Sequence, residues 1–539
     1  MFIHCLRLLA VAVAVAVALL TAGPAAAEWR RAETAHFIVY GDVPERTIRA
    51  YASKVERFDA LLRAYYPIEV DHEIPKLEIF IAEGRRDMER AYPGIGASVG
   101  GYYSPNSGRI HAVVDTDAIS GDAVLFHEYA HHFMFQMVSN AYPSWFVEGF
   151  AEYYSTAEVR PDRIQFGRHL PGRIRALAQP VNSWARMEDV LTWRFTASGR
   201  YPAWSYYAQA WAMAHYFMST PERTAMLRDY LNAVVRGEDS VAAMQAATGR
   251  TPEQLQTDVR LYVSGSINML TPQIEIPEPE VTVTALSPAE SDMAWLDLRL
   301  DREPVKQEPP DDDGRTQKSE AQKTREAREA AERRADLIRD AFAAAQRHPG
   351  DRMARLVEAR AHRLSNDPEA AFTALEPLLA EGSTDADALR LAGMILLDMA
   401  EAESGEAAMG RRRAASGYLG RAYEADPLDF RVYLGLNRAR QGQARYPTDN
   451  DLSTLEVAVK LAPQSFDARL RLGQAYMARS LNAEAIAVLT PVSSSPHRSS
   501  YTRRARAMIA AARGETAPTD ETPPPEDGTD PPDEAGDGA

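Results

Sequence analysis

Two histidines and three glutamates in one short stretch have the types and spacing of a metal site. HEYAH places His127 and His131 four residues apart, with Glu128 directly after the first. Residues i and i+4 project from the same side of a helix, so both imidazoles can reach one ion while Glu128 reaches a bound water. EGFAEY then places Glu148 and Glu152 on one face of a second helix. The pattern predicts a metal held by nitrogen and oxygen.

The second pair of carboxylates strengthens this prediction. Buried carboxylates are unfavourable without a partner. As a third metal ligand and as a hydrogen-bond acceptor for a ligand histidine, Glu148 and Glu152 are both satisfied. The alternative is a pair of ordinary amphipathic helices whose HExxH motif binds no metal.

HEYAH followed after sixteen residues by EGFAEY resembles the gluzincin metallopeptidases of the peptidase-MA-like kind. The resemblance covers about residues 35–265 and implies a thermolysin-like, α+β zincin fold. It implies that Zn²⁺ has three protein ligands, His127, His131 and Glu148. It also implies peptide-bond hydrolysis by a metal-activated water, with Glu128 as general base and Glu152 supporting a ligand histidine.

A further resemblance lies in SYYAQAWAMAHYF. It is similar to the gluzincin helix whose tyrosine stabilises the tetrahedral intermediate, which makes Tyr207 the expected catalytic residue and Tyr206 the fallback. The alternative for both is an aromatic packing contact. Gluzincin aminopeptidases also carry a GxMEN-like strand, whereas this chain has GRIHAVV. An endopeptidase is therefore favoured, with that strand as an edge that pairs with extended substrate.

The other histidines near the motif are expected to be structural. His132 points about 100° around the helix from His131, so the two cannot share an ion without distortion. His111 and His215 are isolated in the sequence.

The segments around the motif predict one α+β domain over residues 28–265. HFIVYG and KLEIFIA are strand-like, residues 45–65 have helical spacing, and GGYYSPNSGRIHAVV predicts a hairpin. Together they form an α/β lobe that extends to about residue 120. The remainder is nearly all helical, and Thr251 begins a capping box.

Three further segments follow. Residues 266–320 are rich in proline and charge and predict a linker between domains. Residues 321–513 resemble tetratricopeptide repeats, with four to five degenerate units and an insertion, EAESGEAAMGRRR; the alternative is a non-repeating helical bundle. Residues 514–539 are acidic and rich in proline, and predict a disordered tail.

The N-terminus predicts export. Residues 1–27 have a charged start, a short apolar run and a final Ala-Ala-Ala, which is typical of a cleaved signal peptide; an uncleaved anchor is the alternative. The only cysteine, Cys5, lies within them, so disulfides and thiolate ligands are excluded from the mature chain. We expect a periplasmic or secreted protein without a membrane span.

Charge and domain organisation limit the partners. The net charge of −16 argues against nucleic-acid binding. The expected partners are a peptide or protein substrate and a protein bound by the repeats. The rival function is a non-catalytic envelope scaffold with a structural or degenerate zincin domain.

Overall fold

The computed structural model describes residues 28–97, 99–105, 108–117, 121–138, 140–169, 171–179, 184–192, 201, 203–305, 319–495 and 499–515. The predicted signal peptide lies outside these residues, as does almost all of the predicted acidic tail. No described helix combines the length and the hydrophobicity needed to cross a membrane. The chain is mostly helical, with a small mixed sheet in its N-terminal part.

Six strands form the main sheet, in the order β4-β5-β3-β2-β1-β8. The central pairs β2–β3 and β3–β5 are parallel, and the others are antiparallel. A separate hairpin contains β6 and β7. The strands are β1 (Arg30–Glu33), β2 (Phe37–Gly41), β3 (Leu77–Ala82), β4 (Gly101–Ser104), β5 (His111–Asp115), β6 (Glu158–Arg160), β7 (Arg163–Gln165) and β8 (Thr282–Ala285).

The predicted hairpin is present as β4 and β5, but the prediction that GRIHAVV forms the sheet edge is wrong. β5 lies between β3 and β4, so both of its edges are paired. The edge strand is β4, the first arm of the hairpin. An extended substrate that adds to this side of the sheet therefore has to pair with β4.

Helices cover both faces of the sheet. The main core contains residues of α1, α3, α4 and α7, while α2 and α11 contribute to a smaller core against the opposite face. The helices of this N-terminal domain (residues 28–305) are α1 (Glu45–Tyr65), α2 (Arg85–Ala91), α3 (Gly121–Met137), α4 (Ser144–Ser155), α5 (Pro171–Leu177), α6 (Met187–Thr192), α7 (Ala203–Phe217), α8 (Pro221–Val235), α9 (Ser240–Thr248), α10 (Pro252–Ser264) and α11 (Pro288–Arg302). The predicted capping box at Thr251 begins α10.

The linker prediction for residues 266–320 is wrong over much of its length. β8 pairs with β1 along four residues, and α11 packs on the sheet through the buried Leu298. A capping box, formed by Ser287 and Glu290, starts α11. These two elements belong to the N-terminal domain because they complete its sheet and cover one face of it.

Ten α-helices follow among the described residues of the repeat domain (residues 319–495 and 499–515), and each packs against the next along the chain. The proposed insertion EAESGEAAMGRRR is not a loop, because it spans the end of α15 and the first turns of α16. The helices are α12 (Glu320–Arg347), α13 (Arg352–Leu364), α14 (Pro368–Leu375), α15 (Ala386–Ala402), α16 (Gly405–Ala425), α17 (Phe430–Arg440), α18 (Asp449–Leu461), α19 (Phe466–Ala478), α20 (Asn482–Ser493) and α21 (Ser500–Arg513).

A network of buried charges joins the two domains. Arg109 pairs with Asp297 of α11 at 2.9 Å, and its backbone N–H donates to Asp301 at 2.6 Å. From the repeat domain, Arg360 pairs with Asp297 and Arg431 lies 3.6 Å from Asp301. We call the full set the interdomain charge cluster: Glu78, Arg109, Asp297, Asp301, Arg360, Arg390, Asp429 and Arg431.

Candidate metal centre

The two helices that carry the predicted ligands pack directly against each other. α3 carries HEYAH, and α4 carries EGFAEY with all twelve of its residues buried. Gly149 lets α7 approach α4 closely, because a Cβ at this position would lie 2.4 Å from the carbonyl oxygen of Ala210. The ligand-bearing helix is therefore held between α3 and α7.

The structure brings the three predicted ligands together. The Nε2 atoms of His127 and His131 lie 3.1 Å apart, and each lies 3.5 Å from Oε2 of Glu148. These three residues form one of two described groups whose donor atoms lie within 4.8 Å of one another.

The donor set fits zinc. Two donors at about 2.0–2.1 Å from a tetrahedral zinc ion lie roughly 3.3–3.4 Å apart, close to the three spacings seen here. Two imidazoles and one carboxylate are a zinc ligand set that leaves a fourth position for water or substrate. The described residues thus have the chemistry and the spacing of an open, catalytic type of site.

Glu152 lies beside His127, the first predicted ligand, and it has a partner that the sequence analysis missed. Its Oε1 lies 3.5 Å from Nδ1 of His127. Arg173 of α5 donates to both carboxylate oxygens of Glu152, at 2.8 and 2.9 Å. In the tautomer that a metal requires, His127 carries its proton on Nδ1, and the lone pair of Nε2 is directed at the other predicted ligands.

The side chains around them keep both glutamates ionised. Burial acts to raise the pKa of Glu148, but His131 and His127 outweigh it and hold this pKa well below its usual range. Burial also opposes ionisation of Glu152, whose pKa Arg173 and His127 nevertheless lower. Ionised carboxylates are the form that binds a cation or supports a ligand histidine.

Glu128, the predicted general base, is half-buried beside the edge strand. Burial raises the pKa of Tyr103 on β4, and the nearby charge of Glu128 adds to this rise. The Tyr103 hydroxyl lies 2.9 Å from Nδ1 of His132. Sequence reasoning missed Tyr103, since nothing in the spacing of β4 links it to a helix that begins seventeen residues later.

The two candidate tyrosines both lie close to the predicted ligands. The ring of Tyr207 lies 6.4 Å from that of His127, and the Arg173 guanidinium lies 5.2 Å from its centre. Tyr206 is buried, which raises its pKa, and the charge of Glu148 raises it further. The placement of Tyr207 between a ligand and the arginine keeps it the preferred candidate.

The remaining histidines have protein partners. His111 Nδ1 lies 2.9 Å from the carbonyl of Arg109, and His215 Nδ1 lies 2.7 Å from the Tyr262 hydroxyl. Burial lowers the pKa of His111 to about 3 and that of His215 to about 4. Neutral, hydrogen-bonded imidazoles of this kind fit the structural role expected for both histidines. His132 is not among the grouped donors.

The second described group of possible ligands is an ion-pair network. His36 lies 2.5 Å from Glu56 and 3.2 Å from Asp59. The carboxylate of Asp59 also accepts from Arg63 at 2.6 Å and from the Tyr129 hydroxyl. Because the guanidinium of Arg63 already pairs with the Asp59 carboxylate, this group does not offer a cation site.

We expect Gly149→Ala to destabilise the protein by about 1–3 kcal/mol, the usual effect of overpacking a core. In a helix, alanine is normally more stabilising than glycine by about 1 kcal/mol. Here the contact with Ala210 reverses the sign of that effect on the free energy of unfolding. The matched control is Gly417→Ala in α16, where the added Cβ meets no described atom within 4 Å and a small gain is expected. Thermal unfolding of both variants measures the difference. Shifts of the same sign would contradict the packing argument.

Comparisons with known proteins support no assignment of chemistry. Residues 119–237 match a family model described as "Protein of unknown function (DUF1570)", and the matched span includes all three grouped ligands, Glu128 and Arg173. No curated protein matches the chain. A crystal structure of TTC0263, a thermophilic TPR protein of Thermus thermophilus, matches with 17% identity, 34% coverage of this chain and 92% of the other. Its TM-score of 0.29 is too low to assign a fold.

Proposed function

We propose that the protein is an exported zinc-dependent metallopeptidase that cleaves within polypeptide chains. The observation that carries the proposal is the spacing of the three donor atoms of His127, His131 and Glu148, with Glu128 next to the first ligand. When bound there, zinc supplies Lewis-acid activation of water and of the scissile carbonyl.

The residues of the chain supply proton transfer and charge stabilisation. Glu128 accepts a proton from the attacking water as the water oxygen bonds to the carbonyl carbon. It then delivers that proton to the amine nitrogen as the C–N bond breaks. Tyr207 donates a hydrogen bond to the carbonyl oxygen as negative charge develops there. Arg173 keeps Glu152 charged and in place, and Glu152 orients His127.

The edge strand supports the choice of an endopeptidase. β4 lies against α3 and has the sequence GYYS, and its partner β5 has the sequence HAVVD. Neither strand carries a glutamate that could bind a free substrate amine. An extended polypeptide that pairs with β4 needs no terminus at the site, because its contacts are made by the backbone.

Zinc content tests the proposal. We expect about one zinc per mature chain by elemental mass spectrometry, and its loss in both His131→Ala and Glu148→Ala because each leaves only two ligands. The control is His348→Ala, which removes a histidine of the repeat domain that pairs with Asp292. A chain that holds no zinc even after zinc is offered would sink the peptidase proposal.

The second candidate function is a non-catalytic scaffold. Zinc content and hydrolysis, measured on the same protein, distinguish it from the peptidase. A structural zinc site is normally closed by a fourth protein ligand, but the donor group contains three. The half-buried Glu128 is also dispensable for a structural site. Stoichiometric zinc without hydrolysis of any unfolded polypeptide would favour the scaffold.

A further inference from the structure

A small pocket of about 190 Å³ lies on the side of the sheet that α2 and α11 cover, opposite to the helices of the candidate metal centre. Ala91, Tyr92 and Pro93, at the end of α2, line one side of it, and Leu337 of α12 lines another. This volume is below the roughly 300–1,000 Å³ that is usual for small-molecule sites. The pocket therefore suits a small ion or the charged end of a larger molecule.

Three arginines line this pocket, which we call the arginine pocket. Arg299 and Arg302 lie in the last turn of α11, and Arg333 comes from α12. The guanidinium of Arg302 lies 4.1 Å from the ring centre of Tyr92, and this tyrosine is 40% exposed. Arg333 is exposed, and the other two arginines are half-buried. Solvent and solutes can therefore reach this group of cations.

The three arginines lack a carboxylate partner among the residues that the structure describes. Glu303 also lines the pocket, but it lies 3.3 Å from Arg334. Asp336 of α12 lies 2.7 Å from Arg339. The nearby acids named here are thus paired with other arginines. In a chain with a net charge of −16, a group of cations without paired acids indicates that an anion from outside the chain binds there.

The electrostatic environment of Arg299 supports an external anion. Burial lowers the pKa of Arg299, and the carboxylates of Asp340 and Glu303 oppose this effect only in part. The charge of Arg302 lowers the same pKa further. A bound anion would offset both the burial and the repulsion between the two arginines.

Stabilisation of a helix end is the alternative role for the two arginines of α11, because cations in the last turn interact favourably with the helix dipole. Another arginine already holds the backbone at this end. Arg334 donates to the carbonyl oxygens of Pro304 and Val305, just after α11, at 2.6 and 2.9 Å. Within the described part of the chain, neither Arg299 nor Arg302 donates to a carbonyl oxygen. Capping of α11 therefore does not account for them.

We propose that the arginine pocket binds the phosphate group of a phosphate monoester. A guanidinium can donate two parallel hydrogen bonds to a phosphate. A phosphate monoester presents three acceptor oxygens and carries a charge of about −1.5 to −2 at pH 7, which suits several arginines better than the single charge of a carboxylate. Tyr92 and Leu337 supply apolar surface for the attached organic group. This binding site is separate from the metal centre and does not depend on peptidase activity.

Two sources share this chemistry, namely a soluble phosphate monoester and the headgroup of a lipid. The probes are phenyl phosphate, measured by isothermal titration calorimetry, and phosphatidylcholine vesicles with and without phosphatidic acid, measured by co-sedimentation. Both are applied to the full mature chain. Saturable binding of either probe that requires the arginines supports the proposal and identifies the source. Binding of neither probe overturns it.

Charge-removing variants test whether the pocket is the site. Arg302→Gln and Arg333→Gln are each expected to weaken binding of the active probe about tenfold, because each removes a charged hydrogen bond. The control is Arg228→Gln on α8, which removes the same charge where the side chain is 70% exposed, and it should bind normally. Equal weakening in all three variants would reveal general attraction to positive charge and overturn the proposal. Unchanged binding in both pocket variants would also overturn it.

Thermal unfolding without the probe separates misfolding from loss of binding. Arg333 is exposed, so Arg333→Gln should melt at the temperature of the parent chain. Arg302→Lys keeps the charge but loses the planar fork, and it should bind more weakly than the parent while it remains folded. Weaker binding with unchanged melting in Arg333→Gln supports the pocket. Unchanged binding in a folded Arg333→Gln and a folded Arg302→Lys contradicts it.

A comparison of anions tests the assignment to a monoester. Phenyl sulfate has the shape of phenyl phosphate with a single negative charge, and we expect it to bind about tenfold more weakly. For vesicles, the matched lipid is phosphatidylglycerol, a phosphodiester with a single charge, and the same difference is expected. Equal affinity for the singly and doubly charged members of the pair would overturn the assignment to a phosphate monoester.

Discussion

Glu128→Gln is expected to lower hydrolysis of unfolded polypeptides by about 10²–10⁴-fold while the protein keeps its zinc. The substitution preserves the size of the side chain and removes only its ability to accept a proton. The three grouped donors are untouched, because they belong to His127, His131 and Glu148. Turnover is measured with a fluorogenic unfolded substrate, and zinc by elemental mass spectrometry on the same sample.

The control on the same helix is Asp122→Asn. Asp122 lies in the first turn of α3 and pairs at the surface with Lys54. Its loss should leave turnover and zinc content unchanged. Normal turnover in Glu128→Gln would show that Glu128 is not the general base, whatever the zinc content.

Asp301→Ala is expected to destabilise the protein by about 3–5 kcal/mol. Its side chain accepts the backbone N–H of Arg109 and lies 3.6 Å from the guanidinium of Arg431. Removal of the carboxylate therefore leaves buried cations of both domains short of a counter-charge. Urea unfolding measures the loss, and small-angle X-ray scattering detects separation of the domains as an increased radius of gyration.

The matched control is Glu238→Ala, which breaks a surface pair with Arg236 in which both side chains are more than half exposed. Surface pairs contribute roughly 0–1 kcal/mol, so little change is expected. If Asp301→Ala were as mild as this control, the charge cluster would not stabilise the interface.

Acid should weaken the same interface. Burial opposes ionisation of Asp301 and Asp429, but the surrounding arginines hold both pKa values below the usual value. A carboxyl whose pKa is depressed in the folded state stabilises above its unfolded value, about 3.9, and this stabilisation is lost as the pH falls. We therefore expect the interface between the domains to weaken below about pH 4. The loss of stability on acidification should be smaller in Asp301→Ala, which lacks one of these carboxyls.

The candidate metal ligands could be predicted from the sequence because their arrangement depends on the local periodicity of two helices. A helix places His127 and His131 on one side, and a second helix does the same for Glu148 and Glu152. The structure brings these four together. Their chemical role stays a prediction until zinc is measured.

Arg173 and Tyr103 could not be predicted because they reach the site through the tertiary fold. Arg173 lies twenty-one residues after Glu152, in a different helix, and no spacing rule relates the two. The buried Glu152 implies that some cation must be near, but not which one. Tyr103 depends on which arm of the hairpin forms the sheet edge, and the sequence prediction chose the other arm.

The linker prediction failed because composition was averaged over too long a segment. Prolines and charges at 272–280 and 303–313 surround a strand and a helix that have clear local signals. TVTA alternates as a strand does, and Ser287-Pro288-Ala289-Glu290 is a capping box. The domain boundary therefore falls after α11.

The interdomain charge cluster also constrains how this protein can evolve. Arg360, Arg390 and Arg431 come from three different repeat helices, and their acceptors include Asp297 and Asp301 of the N-terminal domain. Replacing the repeats by recombination would strand two buried carboxylates beside Arg109 alone. The repeats are thus not an exchangeable module, and changes on one side of the interface are expected to require compensating changes on the other.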